Sequence, residues 1–214
     1  MVLEANNLDP ASVSFIAHGT TQATNALLEG DVEKVGIIGL GSGVEGVKVK
    51  SDTNVKDIEL APGKFLHTDP HFVNTAGDWK KEVADIIAGY KRDDIKISVV
   101  SSAYSVDDPT WENEVRDVLD DEGLLSTCTH EISKLYGLKL RTRTSVINAS
   151  ILPKMLQTAS MTQKSVVDAH IKAPLMIMRC DGGVMSVDEV KKRPILTMLS
   201  GPAAGVAGAL MYEK

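Results

Sequence analysis

The chain has 214 residues, 43% of them hydrophobic and 24% charged, with a formal net charge of −6 and two cysteines. That length and apolar content suffice for one sizeable core or two small ones, while the negative balance and dispersed Lys and Arg exclude the basic footprint of a nucleic-acid binder. Two cysteines furnish neither a zinc site of their own nor a secreted disulfide framework. No apolar run nears the ~20 residues of a membrane span and residues 1–12 do not read as a signal peptide, so a cytoplasmic protein with reduced thiols and no membrane partner is expected.

In chain order, Val13–Ala17 reads as a short buried strand, His18-Gly19-Thr20-Thr21 as a turn, and Gln22–Glu29 as a helix with Ala23, Ala26, Leu27 and Leu28 available for packing. A glycine and two hydroxyl residues between a strand and a helix start make a polar nest. Val35–Leu40 is a second apolar strand. Residues 41–75 are rich in Gly, Asp, Lys and Val without helical period and read as hairpins and loops. Gly39-x-Gly41-x-Gly43 follows a strand, but the GxGxxG spacing is absent and no helical pattern opens after it, so a dinucleotide turn is not expected. His67-Thr68-Asp69-Pro70-His71 gathers two His and an Asp within five residues; with no third clustered His or Cys, and with Pro70 marking an exposed turn, it reads as a polar loop.

Trp79, Val83, Ile86, Ile87 and Tyr90 recur at helical spacing, and Ile95–Val100 follows as a strand. The next helix takes Asp107 or Asp108 as cap, Pro109 in its first turn, Trp111, Val115, Val118 and Leu119 as its apolar stripe, and Gly123 as its stop. Such alternation argues a mostly parallel α/β layer, with both tryptophans in the core. Arg141 to about Gln157 reads as a long helix that Pro153 must kink or restart, linking two subdomains with a boundary near 140. A helix near 161–171, strands at 174–179 and 195–199, a short helix at 186–192 and a glycine-rich helix follow. Cys180 is more simply a buried strand-end thiol than a nucleophile, and no Ser, His and acidic trio forms a hydrolytic triad.

The glycine-rich helix is Leu199-Ser200-Gly201-Pro202-Ala203-Ala204-Gly205-Val206-Ala207-Gly208-Ala209-Leu210. Pro202 suits the first helical position, and Ser200 or Gly201 can cap. Gly205 and Gly208 each cost about 1 kcal/mol relative to alanine, and residues 201, 205 and 208 form one smooth face. Spacing leaves two readings open: tight packing of helix on sheet, or a helix N-terminus offered to an anion. Under the packing reading Gly205→Val would collide with its neighbour at a cost of about 1–3 kcal/mol.

Four segments, HGTTQATNALLEG at 18–30, THEISKLYGLKLRTRTSVINASILPKM at 129–155, LMIMRCDGGVMS at 175–186 and LSGPAAGVAGAL at 199–210, resemble in their order the hydantoinase A and 5-oxoprolinase family. The resemblance implies ATP-dependent ring opening of a small cyclic amide or imide. It also implies an α/β fold on an actin-like ATPase (ribonuclease H-like) scaffold, partial here, with mixed or mostly parallel sheets flanked by helices. Residues 1–140 would be the family's N-terminal-type region and 141–214 the beginning of its second domain. Two Asp-Gly-Gly-Thr-type phosphate loops would lie before Met1 and beyond Lys214, so the chain is expected to be a central section, with ATP and Mg2+ serving the complete protein and neither bound here. His18, Thr20 and Thr21 become candidate catalytic residues. Gly19, Asn25, Asp181, Gly182, Gly183, Ser200, Gly201 and Gly205 become candidate cleft residues, and no metal ligand is expected. A hydantoinase B-type subunit and a homo-oligomer are the implied protein partners. A ketone carboxylase subunit, or a noncatalytic actin-like module that activates or assembles a partner, stands as the alternative. Two departures count: the family's Asn-Pro-x-His-Glu stretch is Asp108-Pro109-Thr110-Trp111-Glu112, which keeps the Pro and Glu but loses the His, so no role is carried over for that His; and residues 31–75 match poorly, which leaves the substrate open.

Overall fold

The computed structural model describes residues 5–6 and 9–212; half of the stretch read above as free of a signal peptide lies outside them. The chain forms two compact units: Ala26–Ile151, and the residues up to Asn25 together with those from Leu152 onward. The boundaries fall inside two helices, α1 (Gln22–Glu29) and α6 (Leu138–Asp168). A single helix therefore replaces the two segments expected between 141 and 171, and it carries Pro153 internally, just past the Ile151/Leu152 boundary.

The Ala26–Ile151 unit is built on four parallel strands, β2 (Val35–Gly41), β5 (Thr68–Asn74), β6 (Ile97–Ser102) and β7 (Leu125–Cys128), in the order β5-β2-β6-β7. β2 is a continuous buried run because both faces are covered. On one face Ile38, Leu40 and Val100 meet Val83, Ile87 and Tyr90 of α3 (Trp79–Arg92) and Val115 and Leu119 of α4 (Thr110–Asp121). The caps explain where these helices start: Asp78 accepts from the Lys81 N–H, and Asp108 Oδ1 accepts from Thr110 N at 3.1 Å and Thr110 Oγ1 at 2.6 Å. Gly123, at φ +75°, ends the second of them. Trp79 packs on this core, whereas Trp111, expected inside, is 37% exposed and meets Trp79 edge to face.

Residues 41–75 correct the sequence reading. The hairpin expected there is β3 (Ile58–Ala61) with β4 (Lys64–Leu66), but α2 (Gly43–Thr53) and β5 stand where loops were expected. A helix does open after the Gly39–Gly43 run. Its two glycines and scattered valines hide the period, and contact decides the outcome: a Cβ on Gly41 would lie 3.2 Å from the Gly46 Cα, and one on Gly46 would lie 3.3 Å from Phe72. Pro70 sits within β5 rather than in a turn, tolerated because β5 is an edge strand. His67 and His71 face Asp57 (2.7 Å) and Asp69 (3.3 Å) as two separate pairs.

On the α3 face of β2, Gly36 makes room for the Tyr90 ring, whose hydroxyl donates to the Ile37 and Asp69 carbonyls at 3.2 and 3.1 Å. Gly36→Ala would drive a methyl into that anchored ring. Overpacking of this kind costs about 1–3 kcal/mol, to be read as a lowered urea midpoint; an unchanged midpoint would mean that the ring yields freely.

The other unit contains a mixed sheet, β1 (Ile16–His18), β8 (Leu175–Met178) and β9 (Val184–Ser186), with β1 parallel and β9 antiparallel to β8. β1 is shorter than expected and only half buried, an edge strand with one partner among the described residues. After α7 (Val187–Lys192), Pro194–Thr197 is a 3-10 turn where a strand was expected, Pro194 having fixed φ at its start. α8 (Ser200–Tyr212) closes the described chain. No helix among the described residues is long and apolar enough to cross a membrane.

Candidate functional site

His18 ends β1, and the turn after it is held by its own hydroxyls. Thr20 Oγ1 accepts from the Gln22 N–H at 3.2 Å, and Thr21 Oγ1 from the Asn25 amide at 3.4 Å. Both hydroxyls thus spend an acceptor on the helix start and keep O–H free to donate. The His18 ring has no hydrogen-bond partner among the described residues.

The N-terminus of α8 docks on this turn. Buried Ser200 donates from Oγ to the Thr20 carbonyl at 3.1 Å, and Leu199 N–H donates to Thr24 Oγ1 at 3.1 Å. Leu199 takes φ +55°, a conformation that costs a bulky residue about 1–3 kcal/mol and persists only where surrounding contacts impose it. The third element is the β8–β9 hairpin turn. Gly182 at φ +82° lets Arg179 N–H donate to the Gly183 carbonyl at 2.8 Å. Asp181 accepts from Gly183 N–H (3.0 Å) and from Arg179 (2.6 Å), with the Gly183 bond foremost in holding its carboxyl below the usual range. A Cβ on Gly182 would stand 3.6 Å from Ala207, so this turn abuts α8. Cys180 beside it is exposed, contrary to the buried strand end expected.

The glycine face of α8 behaves differently from its packing reading. A Cβ at Gly201, Gly205 or Gly208 meets nothing within 4 Å, and Gly201 and Gly205 are exposed. No collision therefore attends substitution in this chain. Gly205→Ala should instead raise stability by about 0.5–1 kcal/mol through helix propensity, visible as a higher urea midpoint. A lower midpoint would restore the packing reading.

A second cluster, absent from the candidates read from sequence, occupies the C-terminal edge of the four-stranded sheet. Glu112, fully buried in the first turn of α4, accepts at Oε1 from Ser102 N–H (2.8 Å) and Thr129 Oγ1 (2.6 Å), and at Oε2 from His130 N–H (3.1 Å) and His130 Nδ1 (2.7 Å). Burial pushes its carboxyl up, but these bonds, His130's first, outweigh that and hold it below the ordinary range. Arg141 is buried beside it. Its Nε donates to Thr129 Oγ1 (3.0 Å), Nη2 to the Ser102 carbonyl (2.7 Å) and Ser105 Oγ (3.1 Å), and Nη1 to the Leu135 carbonyl (2.7 Å). Glu112, Cys128 and His130 bring one ligand atom each within 4.8 Å of one another, yet the set does not suit a cation. Both carboxylate oxygens are saturated, and burial pushes the Cys128 thiol up, keeping it protonated as a donor to the Glu112 carbonyl (3.4 Å). The signal in the sequence was the retained Pro109 and Glu112 pair, and the Thr129–Ile132 segment that supplies its partners.

The fold and these turns define an α/β chain with one mixed and one doubly wound sheet. It belongs to the hydantoinase/oxoprolinase family: the model of that family's N-terminal region matches residues 2–123, and the hydantoinase/oxoprolinase model matches residues 141–214. An uncharacterized protein of Methanocaldococcus jannaschii is 27% identical over 138 residues, 63% of this chain and 20% of the relative. Among solved structures, the ATP-dependent caprolactamase of Pseudomonas jessenii aligns with a TM-score of 0.71 at 18% identity over 95% of this chain and 32% of that one. Nucleotide-free acetone carboxylase aligns at 0.69 and 19% over 97% of this chain and 33% of that one. These likenesses establish a shared fold. The chain spans a fifth of the curated relative and about a third of the solved structures.

Proposed function

We propose that this chain is the central region of an ATP-dependent enzyme that opens a cyclic amide or imide, built on an actin-like scaffold. The observation that carries the reading is the meeting of three turns in one unit: Thr20 bonded to Ser200, Thr24 to Leu199, and Gly182 against α8. In the complete protein, bound MgATP would supply the γ-phosphoryl group that activates the amide oxygen, with magnesium offsetting the phosphate charge. His18 takes a proton from the attacking water. Thr20 and Thr21 donate hydroxyl protons to the oxygen that gains charge, a role their own accepted bonds leave open. Asp181, pinned by Gly183 and Arg179, holds the far side of the site, beside the N-terminal half of α8. In sum one ring, one ATP and two waters give the open amino acid, ADP and phosphate. The complete protein, assayed with hydantoin, 5-oxoproline and caprolactam, should open a ring only with MgATP present. Turnover confined to a ketone with bicarbonate would assign carboxylation instead, and no turnover with either would favour a noncatalytic module.

A further inference from the structure

The C-terminal edge of the four-stranded sheet carries a groove of about 380 Å³ between α2, the Ala103–Tyr104 turn and the start of α6. β2 passes the chain to β5 on one side, and β6 passes it to β7 on the other. The groove therefore lies where the crossovers diverge, the place at which doubly wound sheets take ligands. Its volume falls within the ~300–1,000 Å³ of small-molecule sites.

The rim is built at a cost. Tyr104 is held at φ +58°, a conformation that bulky residues adopt under constraint and that collects at functional sites. Buried Arg141 ties Ser102 and Ser105, which flank the Ala103–Tyr104 wall, to Leu135, next to the Tyr136–Leu140 wall, and the Tyr136 hydroxyl donates to Asp107 at 2.8 Å. The walls are thus fixed before any ligand arrives. The charges on them are uncommitted. Glu45, Lys48 and Asp52 on α2 and Lys139 on α6 make no ion pair or hydrogen bond among the described residues. Lys48 stands three residues from one acid and four from the other, the spacing at which helix pairs close, yet closes with neither.

We propose that this groove binds a small zwitterion with an apolar chain, an amino acid whose carboxylate meets Lys48 and Lys139 and whose ammonium meets Glu45 or Asp52. Two positive and two negative groups match such a ligand in sign and number, and Val49 and Leu138, both buried, supply apolar contact for its chain. Along the helix axis Lys48 stands about 4.5 Å from Glu45 and about 6 Å from Asp52, spans that a carboxylate and an ammonium separated by several methylenes can bridge. A simple anion fits worse, because Glu45 sits in the first turn of α2 and opposes negative charge there. Such a ligand is of the same class as the opened product proposed above; binding to this chain needs no turnover, so its failure leaves that reaction untouched.

The test is amide NMR of the 214-residue chain with 6-aminohexanoate, hexanoate and hexylamine as probes. 6-Aminohexanoate should shift the amides of Ala103, Tyr104 and Leu138–Leu140 saturably, with each singly charged probe binding about tenfold more weakly. Lys139→Glu should weaken binding about tenfold, while Lys164→Glu on the exposed part of α6 leaves it unchanged. Tyr104→Gly separates site from fold: relief of the left-handed residue should keep or raise the unfolding midpoint, and loss of the ring should weaken binding. The proposal is overturned by absent shifts at about 10 mM zwitterion, by equal binding of all three probes, or by undiminished binding in both Lys139→Glu and Tyr104→Gly.

Discussion

Glu112→Ala should lower the unfolding free energy of the chain by about 3–5 kcal/mol, because it strips a buried ionic network of its carboxylate and leaves Arg141 uncompensated. The link between the two is Thr129, which donates to Glu112 and accepts from Arg141, so the variant orphans donors at Ser102, Thr129 and His130 at once. Urea unfolding of the parent and Glu112→Gln across pH separates charge from shape. Since the folded carboxyl lies below its unfolded value, its contribution is complete above the unfolded pKa of about 4.3 and is lost as pH falls through the folded value. The parent should therefore lose stability in that acid window, and Glu112→Gln should lose less. Identical slopes for the two would mean that the Glu112 pKa does not change on folding, and a parent that gains stability as pH falls would mean that Glu112 is neutral in the folded state.

In the complete protein, if it has the proposed activity, Thr20→Ala, Thr21→Ala and His18→Ala should keep the melting temperature within a few degrees while at least one lowers kcat/KM by roughly a hundredfold, the scale of a positioned donor or base. If the turn only caps α1, Thr20→Ala should instead cost about 1 kcal/mol of stability and leave turnover nearly intact. Full activity in all three stable variants would remove the turn from the site, leaving Asp181 and its neighbours.

Long apolar segments were legible in the sequence, and contact-dependent ones were not. Val35–Leu40 and the Trp79–Tyr90 stripe announce themselves by composition and period, and both lie where read. α2 does not, because its glycines lower helix propensity in exchange for the close approach of Gly46 to Gly41, a partner no local window contains. Pro70 misled for the converse reason: a breaker is harmless on the open side of an edge strand. For the site, the Thr20 turn and the α8 start were each visible as strand-to-helix punctuation, but their bond spans 180 residues. The Glu112 network was hidden further, since its members stand on four elements; the retained Pro109 and Glu112 pair, with the Thr129–Ile132 segment, was its local sign.

The measurement that bears most directly on ATP-driven ring opening counts ADP and opened product in one reaction of the complete protein with a cyclic amide. The account predicts that each opened ring is matched by one ADP and that neither forms at a comparable rate when amide or MgATP is withheld. Ring opening that proceeds without ATP, or ADP release that no cyclic amide accelerates, would contradict it.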